Sequence, residues 1–298
     1  MPPESNDAPG GAPAAGAAPA AGPVSAADTV DTRATRAAAR AASAPAGAAP
    51  LSRAGSDRRP VAPRSWTAGG STVQDWGYDL LGWAMISFAA GILLSAGIPS
   101  VVPGATGVLI AGIALWLGMA VPVAFAFARS RPRGLLRFRP VDLLYGVVLG
   151  GVLRLAQGWF EQAAAGGPVP FPSYPTIDGQ LSSSWWFADA LAPVVISPVI
   201  EEFFFRGVLL VVIYTVVRRA LGARVAAFVA VVVTTGVFVA AHTLNGALGW
   251  DDVVSYALVG IVCGMLVLLT RRIWGAVLVH IVFNATWVAL ATAGTLLS

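Results

Sequence analysis

The stretch Ile200-Glu201-Glu202-Phe203-Phe204-Phe205-Arg206-Gly207 sets two adjacent carboxylates and a guanidinium inside a long apolar run. Ionisable groups are costly in hydrocarbon and by default mark a functional site there. At about 100° per residue, helix geometry puts Glu202 and Arg206, four apart, on one face and turns Glu201 away from them. Arg206 is expected to pair with Glu202 and to leave Glu201 free. A carboxylate with no cation of its own, held away from water, is a stronger proton acceptor than one in bulk solvent, which suits a general base. The plainer alternative is a buried polar clamp that ties helices together.

The two histidines of the chain, His242 and His280, also lie in apolar segments. His242 ends Phe238-Val239-Ala240-Ala241-His242 and His280 begins His280-Ile281-Val282-Phe283-Asn284, so Phe238 shares a helical face with His242, and His280 with Asn284. Imidazoles and a carboxamide turned toward Glu201 would bind a water or a metal and stabilise an oxyanion. One intramembrane histidine is ordinarily a hydrogen-bonded packing residue; two of two, beside the glutamates, strain that account. Straight spans place His242 toward the outer half of its run and His280 toward the inner half, so tilt or the prolines before Glu201 must bring them level.

The elements that carry these residues follow from composition. Of 298 residues, 56% are hydrophobic and 11% charged, which describes a multi-span membrane protein. All 19 cationic residues are arginine, and with abundant Ala, Gly and Pro this suits a GC-rich bacterial genome. A net charge of +4, scattered along the chain, gives no footing for nucleic acid. Cys263 is the only cysteine, which excludes an intrachain disulfide and a cysteine zinc site; it reads as a small buried hydrophobe.

Residues 1–75 are expected to form a disordered cytoplasmic tail, rich in Ala, Pro and Gly and too poor in large apolar residues to fold; its acidic start is not that of a signal peptide. The transmembrane domain, 76–298, contains seven apolar runs: Leu80 to Ile98, Gly107 to Ala128, Leu143 to Phe160, Trp186 to Val217, Val225 to Leu244, Val253 to Leu269 and Ile273 to Leu296. The expected fold is an all-α, polytopic bundle of about seven transmembrane helices, with room for an eighth between the third and fourth runs. Pro193 and Pro198 predict a kink or re-entrant turn just before the glutamates. Arg129 to Arg139, Arg218 to Arg224, and Arg271 with Arg272 fall on alternate loops, which predicts a cytoplasmic N-terminus and an outside C-terminus in a bacterial plasma membrane. Arg154 is expected to snorkel or to pair with Glu161, and Trp76, Trp83, Trp185, Trp186 and Trp274 to mark the interfaces. Asp251 and Asp252 are expected to cap the sixth helix.

EEFFFRG, FVAAH and HIVFN resemble, in order and each on a separate run, the EExxxR, FxxxH and HxxxN motifs of the CAAX protease and bacteriocin-processing (CPBP, or abortive-infection) family of intramembrane proteases. The resemblance covers about residues 186–296 and is specific because all three motifs occur together. It implies an all-helical catalytic core in which Glu201 and His242 activate a water, His280 and Asn284 stabilise the oxyanion, and Glu202, Arg206 and Phe238 support them. It also implies a membrane-associated peptide or protein substrate. Glu201, His242 and His280 are the set that would hold a divalent metal such as zinc, although glutamate-water chemistry does not require one. The chain lacks HExxH and is no zincin. Two other classes share the same side chains: a transporter or proton relay, and a non-proteolytic scaffold or immunity factor of the same family.

Overall fold

The structure, a computed structural model, describes residues 64–176, 178–243 and 248–297. Among these residues six helices are long and apolar enough to cross a membrane. They are α1 (Tyr78–Val101), α2 (Ala105–Arg129), α3 (Val141–Ala165), α4 (Trp186–Thr243), α5 (Trp250–Thr270) and α6 (Trp274–Leu297). Their outward surface suits hydrocarbon: Leu93, Leu155, Trp159, Phe228 and Leu269 are 71–77% exposed. The protein is an all-helical, multi-pass membrane protein.

The count is six, not the expected seven, because the fourth and fifth apolar runs lie in one 58-residue helical segment, α4. Drawn straight at 1.5 Å per residue it would be about 87 Å long, nearly three times the hydrocarbon core of about 30 Å. It breaks at Gly222, whose φ of 80° and ψ of 173° leave helical space and suit a residue without Cβ. The chain doubles back there: Glu201 and His242 would stand about 60 Å apart on a straight helix, yet their side chains approach to 4.0 Å. The connection expected to have room for an eighth span holds no membrane-length helix among the described residues.

Close packing depends on missing side chains. A Cβ on Gly91 would lie 3.0 Å from the Gly118 Cα, so α1 and α2 cross with backbones nearly touching, and Ser87 Oγ donates to the Gly118 carbonyl at 2.8 Å. Gly146 and Gly150 of α3 press on Leu278, Val279 and Val282 of α6 in the same way. Small residues of this kind let transmembrane helices approach closely. At the start of α5 the Gly249 N–H donates to Asp252 Oδ2 at 3.4 Å, and Asp251 adds a second carboxylate to the first turn, so the expected capping role falls mainly to Asp252.

The tail boundary shifts. Residues 1–63 fall outside the described residues, but residues 64–75, expected to belong to the tail, form two short 3₁₀ turns whose flanks dock on the bundle. Trp66 and Trp76 are fully buried, so Trp76 is a core residue and not an interface marker. Trp66 Nε1 donates to the Arg271 carbonyl at 3.2 Å and Trp76 Nε1 to Ser130 Oγ at 2.8 Å. The arginine-rich connections meet at this end: Arg129 pairs with Asp79, Arg219 Nη2 donates to the Gln74 carbonyl at 2.8 Å, and Arg272 Nη2 pairs with buried Asp142 at 2.6 Å.

Candidate active site

The backbone of α4 departs from regular α-helix around the glutamates. Trp186–Ile196 and Phe203–Leu209 are π-helical, separated by the α-helical turn Ser197–Glu202. Wide turns of this kind concentrate at functional sites, and the prolines explain part of their use here. In the π pattern the Ser197 N–H bonds the Ala192 carbonyl; the next link would need an N–H at Pro198, which has none. The Pro193 carbonyl is left over and accepts from Asn284 Nδ2 at 2.7 Å.

Glu201 and Glu202 have different surroundings. Glu202 is fully buried, and its Oε1 accepts from Arg206 Nη1 at 2.8 Å and from His280 Nδ1 at 3.0 Å. Arg206, also fully buried, reaches the Gly260 carbonyl at 3.4 Å and lies 4.6 Å over the Phe238 ring. Glu201 Oε1 instead accepts from Ser197 Oγ at 2.5 Å, and Ser197 Oγ accepts from Trp116 Nε1 at 3.2 Å. Glu201 Oε2 is buried, makes no hydrogen bond to protein, and lies 4.0 Å from His242 Nε2.

His242 is held from three sides. Its Nδ1 lies 2.8 Å from the Phe238 carbonyl, which can only accept, so Nδ1 carries the proton and Nε2 presents a lone pair toward Glu201 in the neutral ring. Phe238 and Tyr256 flank the imidazole, each at 4.4 Å between centroids. Phe238 also touches the His280 ring at 5.7 Å, so both histidines meet on one aromatic side chain despite their different depths along straight spans. A cavity of about 260 Å³ fronts Glu201 and His242, walled by Ile92, Ser95, Leu115 and Met119 among others.

His280 and Asn284 do not reach this cavity in the same way. His280 is engaged by Glu202, one helical position from Glu201. Asn284 lines a second cavity of about 260 Å³ with Arg154, Pro193, Tyr256 and Phe283, and Tyr256 stands between it and His242. Arg154 neither snorkels nor pairs directly with Glu161. It is buried, donates to the Phe283 carbonyl at 2.8 and 3.2 Å and to Gln157 at 2.7 Å, and meets Glu161 only through Gln157. Glycine-lined packing of α3 on α6 draws the guanidinium inward to a carbonyl instead of outward to water. Among the described residues no three His, Cys, Asp or Glu side chains are grouped as metal ligands. Of Glu201, His242 and His280, expected as a ligand set, Glu201 and His242 face each other at 4.0 Å, while His280 has its Nδ1 on Glu202 and keeps its Nε2.

Residues 183–286 match the profile of the family described as type II CAAX prenyl endopeptidase Rce1-like. The match covers about a third of the chain, and over that stretch the chain is similar to the CPBP family of intramembrane proteases. The matched segment holds the EExxxR, FxxxH and HxxxN residues and the Tyr256 that packs on His242, whereas Trp116 and Arg154 lie outside it. No curated protein and no solved structure matches the chain. Within the matched segment, Ser197 stands four residues before Glu201 on one helical face, a relation that the sequence does not single out. Trp116 and Tyr256 carry no such spacing, because only the fold brings them to Ser197 and His242.

Proposed function

We propose that the protein is an intramembrane endopeptidase that hydrolyses a peptide bond of a membrane-associated substrate with a water activated by Glu201 and His242. The observation that carries this reading is the 4.0 Å gap between Glu201 Oε2 and His242 Nε2 at the wall of the cavity. That is too long for a direct hydrogen bond and right for a shared water about 2.8 Å from each. The water donates one hydrogen bond to Oε2 and one to Nε2, which leaves an oxygen lone pair for the carbonyl carbon. Glu201 takes the proton as the C–O bond forms and returns it to the amide nitrogen as the C–N bond breaks. The products are a carboxylic acid and an amine.

In this reading Glu202 and Arg206 hold the second carboxylate in place so that only Glu201 faces the cavity. His280, its Nδ1–H on Glu202, offers Nε2–H to an oxyanion when the ring is charged, and Asn284 has a second amide N–H beyond the one on Pro193. No step is routed through a metal. A proton relay needs polar groups leading away on both sides of the site; Phe88, Phe204, Phe205 and Phe238, none more than 3% exposed, crowd one side, which favours the protease. We place the chain in a bacterial plasma membrane with the arginine-rich connections in the cytoplasm and the C-terminus outside.

The test is Glu201→Gln, assayed in detergent or proteoliposomes against a library of membrane peptides. Cleavage should fall to background while the unfolding temperature stays at the parental value. Cleavage at the parental rate would end this mechanism.

A further inference from the structure

We infer that the Glu201 cavity is entered from the membrane face opposite the arginine clusters, the extracytoplasmic face, and that its substrate is an exported or outward-anchored peptide with uncharged, apolar residues beside the scissile bond. The substrate half of this inference rests on the proteolytic reading; the access route does not.

Arginine-rich connections stay on the cytoplasmic side, and in this fold they gather at one end of the bundle around residues 64–76. That end is plugged. Trp66 and Trp76 are fully buried there, and the Tyr214 hydroxyl donates to the Thr67 carbonyl at 3.0 Å. Between this plug and Glu201, Leu209 to Val212 are at most 1% exposed. Above them Phe88, Phe204, Phe205 and Phe238 form a continuous set of ring contacts at 4.9–5.7 Å. On α4 the aromatic pair Phe204 and Phe205 follows Glu201 toward Gly222, and Phe238 precedes His242 on the returning limb. The aromatic layer therefore floors the site on its arginine side.

The cavity extends the other way. Ile92, Ser95 and Ala96 lie beyond the Gly91–Gly118 crossing on α1, and Leu115 lies beyond it on α2, all toward the ends at Val101 and Ala105. His242 is the next-to-last residue of α4, so the wall it forms with Ala241 stands at the end of that helix. Apart from Glu201 and His242 the lining carries no titratable side chain, which gives a charged substrate residue no partner. At about 260 Å³ the space is below the usual range for a drug-sized ligand, about 300–1,000 Å³, and admits an extended apolar segment but not a folded chain.

The experiment is thiol labelling of the full chain with Cys263→Ala, which removes the only cysteine. Ser95→Cys and Ala241→Cys place a thiol in the cavity, and Arg137→Cys places one at the exposed arginine end; each variant is first required to keep the parental unfolding temperature. A membrane-impermeant cationic methanethiosulfonate is applied to spheroplasts and to inverted vesicles. Ser95→Cys and Ala241→Cys should react at least tenfold faster in spheroplasts, and Arg137→Cys at least tenfold faster in inverted vesicles. Faster reaction of the cavity thiols in inverted vesicles, reaction from neither side, or outside labelling of Arg137→Cys would overturn the inference. In a second arm, a quenched fluorescent peptide of apolar residues is added outside spheroplasts bearing the parent chain or Glu201→Gln. Cleavage by the parent alone supports the outward substrate. Outward labelling with no cleavage of any peptide in spheroplasts or in detergent would remove the proteolytic reading, and the substrate with it, while the access route stands. Cleavage in detergent and from the vesicle interior but not from outside would overturn the outward substrate alone.

Discussion

Replacing Glu202 with Gln keeps its volume and removes its charge, and the contacts around it set the cost. Arg206 Nη1 lies 2.8 Å from Glu202 Oε1 with both side chains wholly buried. Breaking one partner of such a pair leaves a buried charge and costs about 3–5 kcal/mol. The His280 Nδ1 bond at 3.0 Å also changes from charge-assisted to neutral, a further loss of roughly 1 kcal/mol. The expected destabilisation of Glu202→Gln is therefore about 4–6 kcal/mol, a large share of the roughly 5–15 kcal/mol that holds ordinary proteins folded. Arg206→Met strands the carboxylate instead and should cost a similar amount. The double variant Glu202→Gln/Arg206→Met removes both charges, and its loss should be less than about 2 kcal/mol, which makes the coupling between the sites at least about 6 kcal/mol. Unfolding followed in detergent by the fluorescence of the 10 tryptophans measures all three. Single variants within about 0.5 kcal/mol of the parent, or a double variant that simply adds their costs, would refute the pairing argument.

Glu201→Gln and His242→Ala should each bring peptide hydrolysis to background without loss of folding, and because both act on one water their double variant should be little worse than either alone; additive losses in single-turnover assays would show that they act separately. Ser197→Ala removes the donor that fixes Glu201 Oε1 at 2.5 Å, a charge-assisted bond worth about 1.5–3 kcal/mol, so kcat should fall about tenfold or more with KM unchanged and return in Ser197→Thr; a change confined to KM would remove its positioning role. Asn284→Ala should leave a measurable remnant of activity, since one oxyanion donor is worth about 100- to 1000-fold, whereas a lowered unfolding temperature with parental turnover would make Asn284 only a clamp on the Pro193 carbonyl. A reporter active only in the cytoplasm, fused after Ser298, should stay silent; a strong signal would reverse the orientation inferred from the arginines.

Helical arithmetic alone reached the pairing of Arg206 with Glu202 and not with Glu201, because residues four apart stay near one face in α- and π-helical turns alike. The same spacing relates Ser197 to Glu201, but nothing in the sequence singles Ser197 out before the fold is known. The arithmetic failed where the backbone stops being a regular α-helix or where the decisive partner is remote. Straight spans left His242 and His280 at different depths, and only the break at Gly222, with two π-helical stretches, brings both onto Phe238. The helix count differed for the same reason, since hydropathy does not see whether a glycine between two apolar runs ends a helix or bends one, and the two limbs of α4 meet at Gly222 within one helical segment. Arg154 was misplaced because its burial depends on Gly146 and Gly150 letting α3 close on α6, a contact between elements far apart in sequence. Trp66 and Trp76 were read with the tail and the interface because composition registers the polar, proline-rich surroundings and not the hydrogen bonds to Arg271 and Ser130 that seat them.

The two prolines show how one sequence feature serves both backbone and site. Pro193 and Pro198 would each be expensive in a regular helix, where the missing N–H leaves a carbonyl unpaired and the ring crowds the preceding turn. Widening the turn relieves the crowding, and the carbonyl orphaned at Pro193 is claimed by Asn284. That bond ties α6 to α4 nine residues before the bond that His280 makes with Glu202, so the HxxxN pair clamps the glutamate helix at two separate levels. Glu201 lies between those levels in sequence but is bound by neither; its one hydrogen bond comes from Ser197 on its own helix, backed by Trp116 of α2. Each carboxylate is thus held through one oxygen, Glu202 by a guanidinium and an imidazole and Glu201 by a hydroxyl, and only the second oxygen of Glu201 faces an imidazole, at 4.0 Å. The proposed general base needs that difference, since a carboxylate without a guanidinium on it accepts a proton more readily.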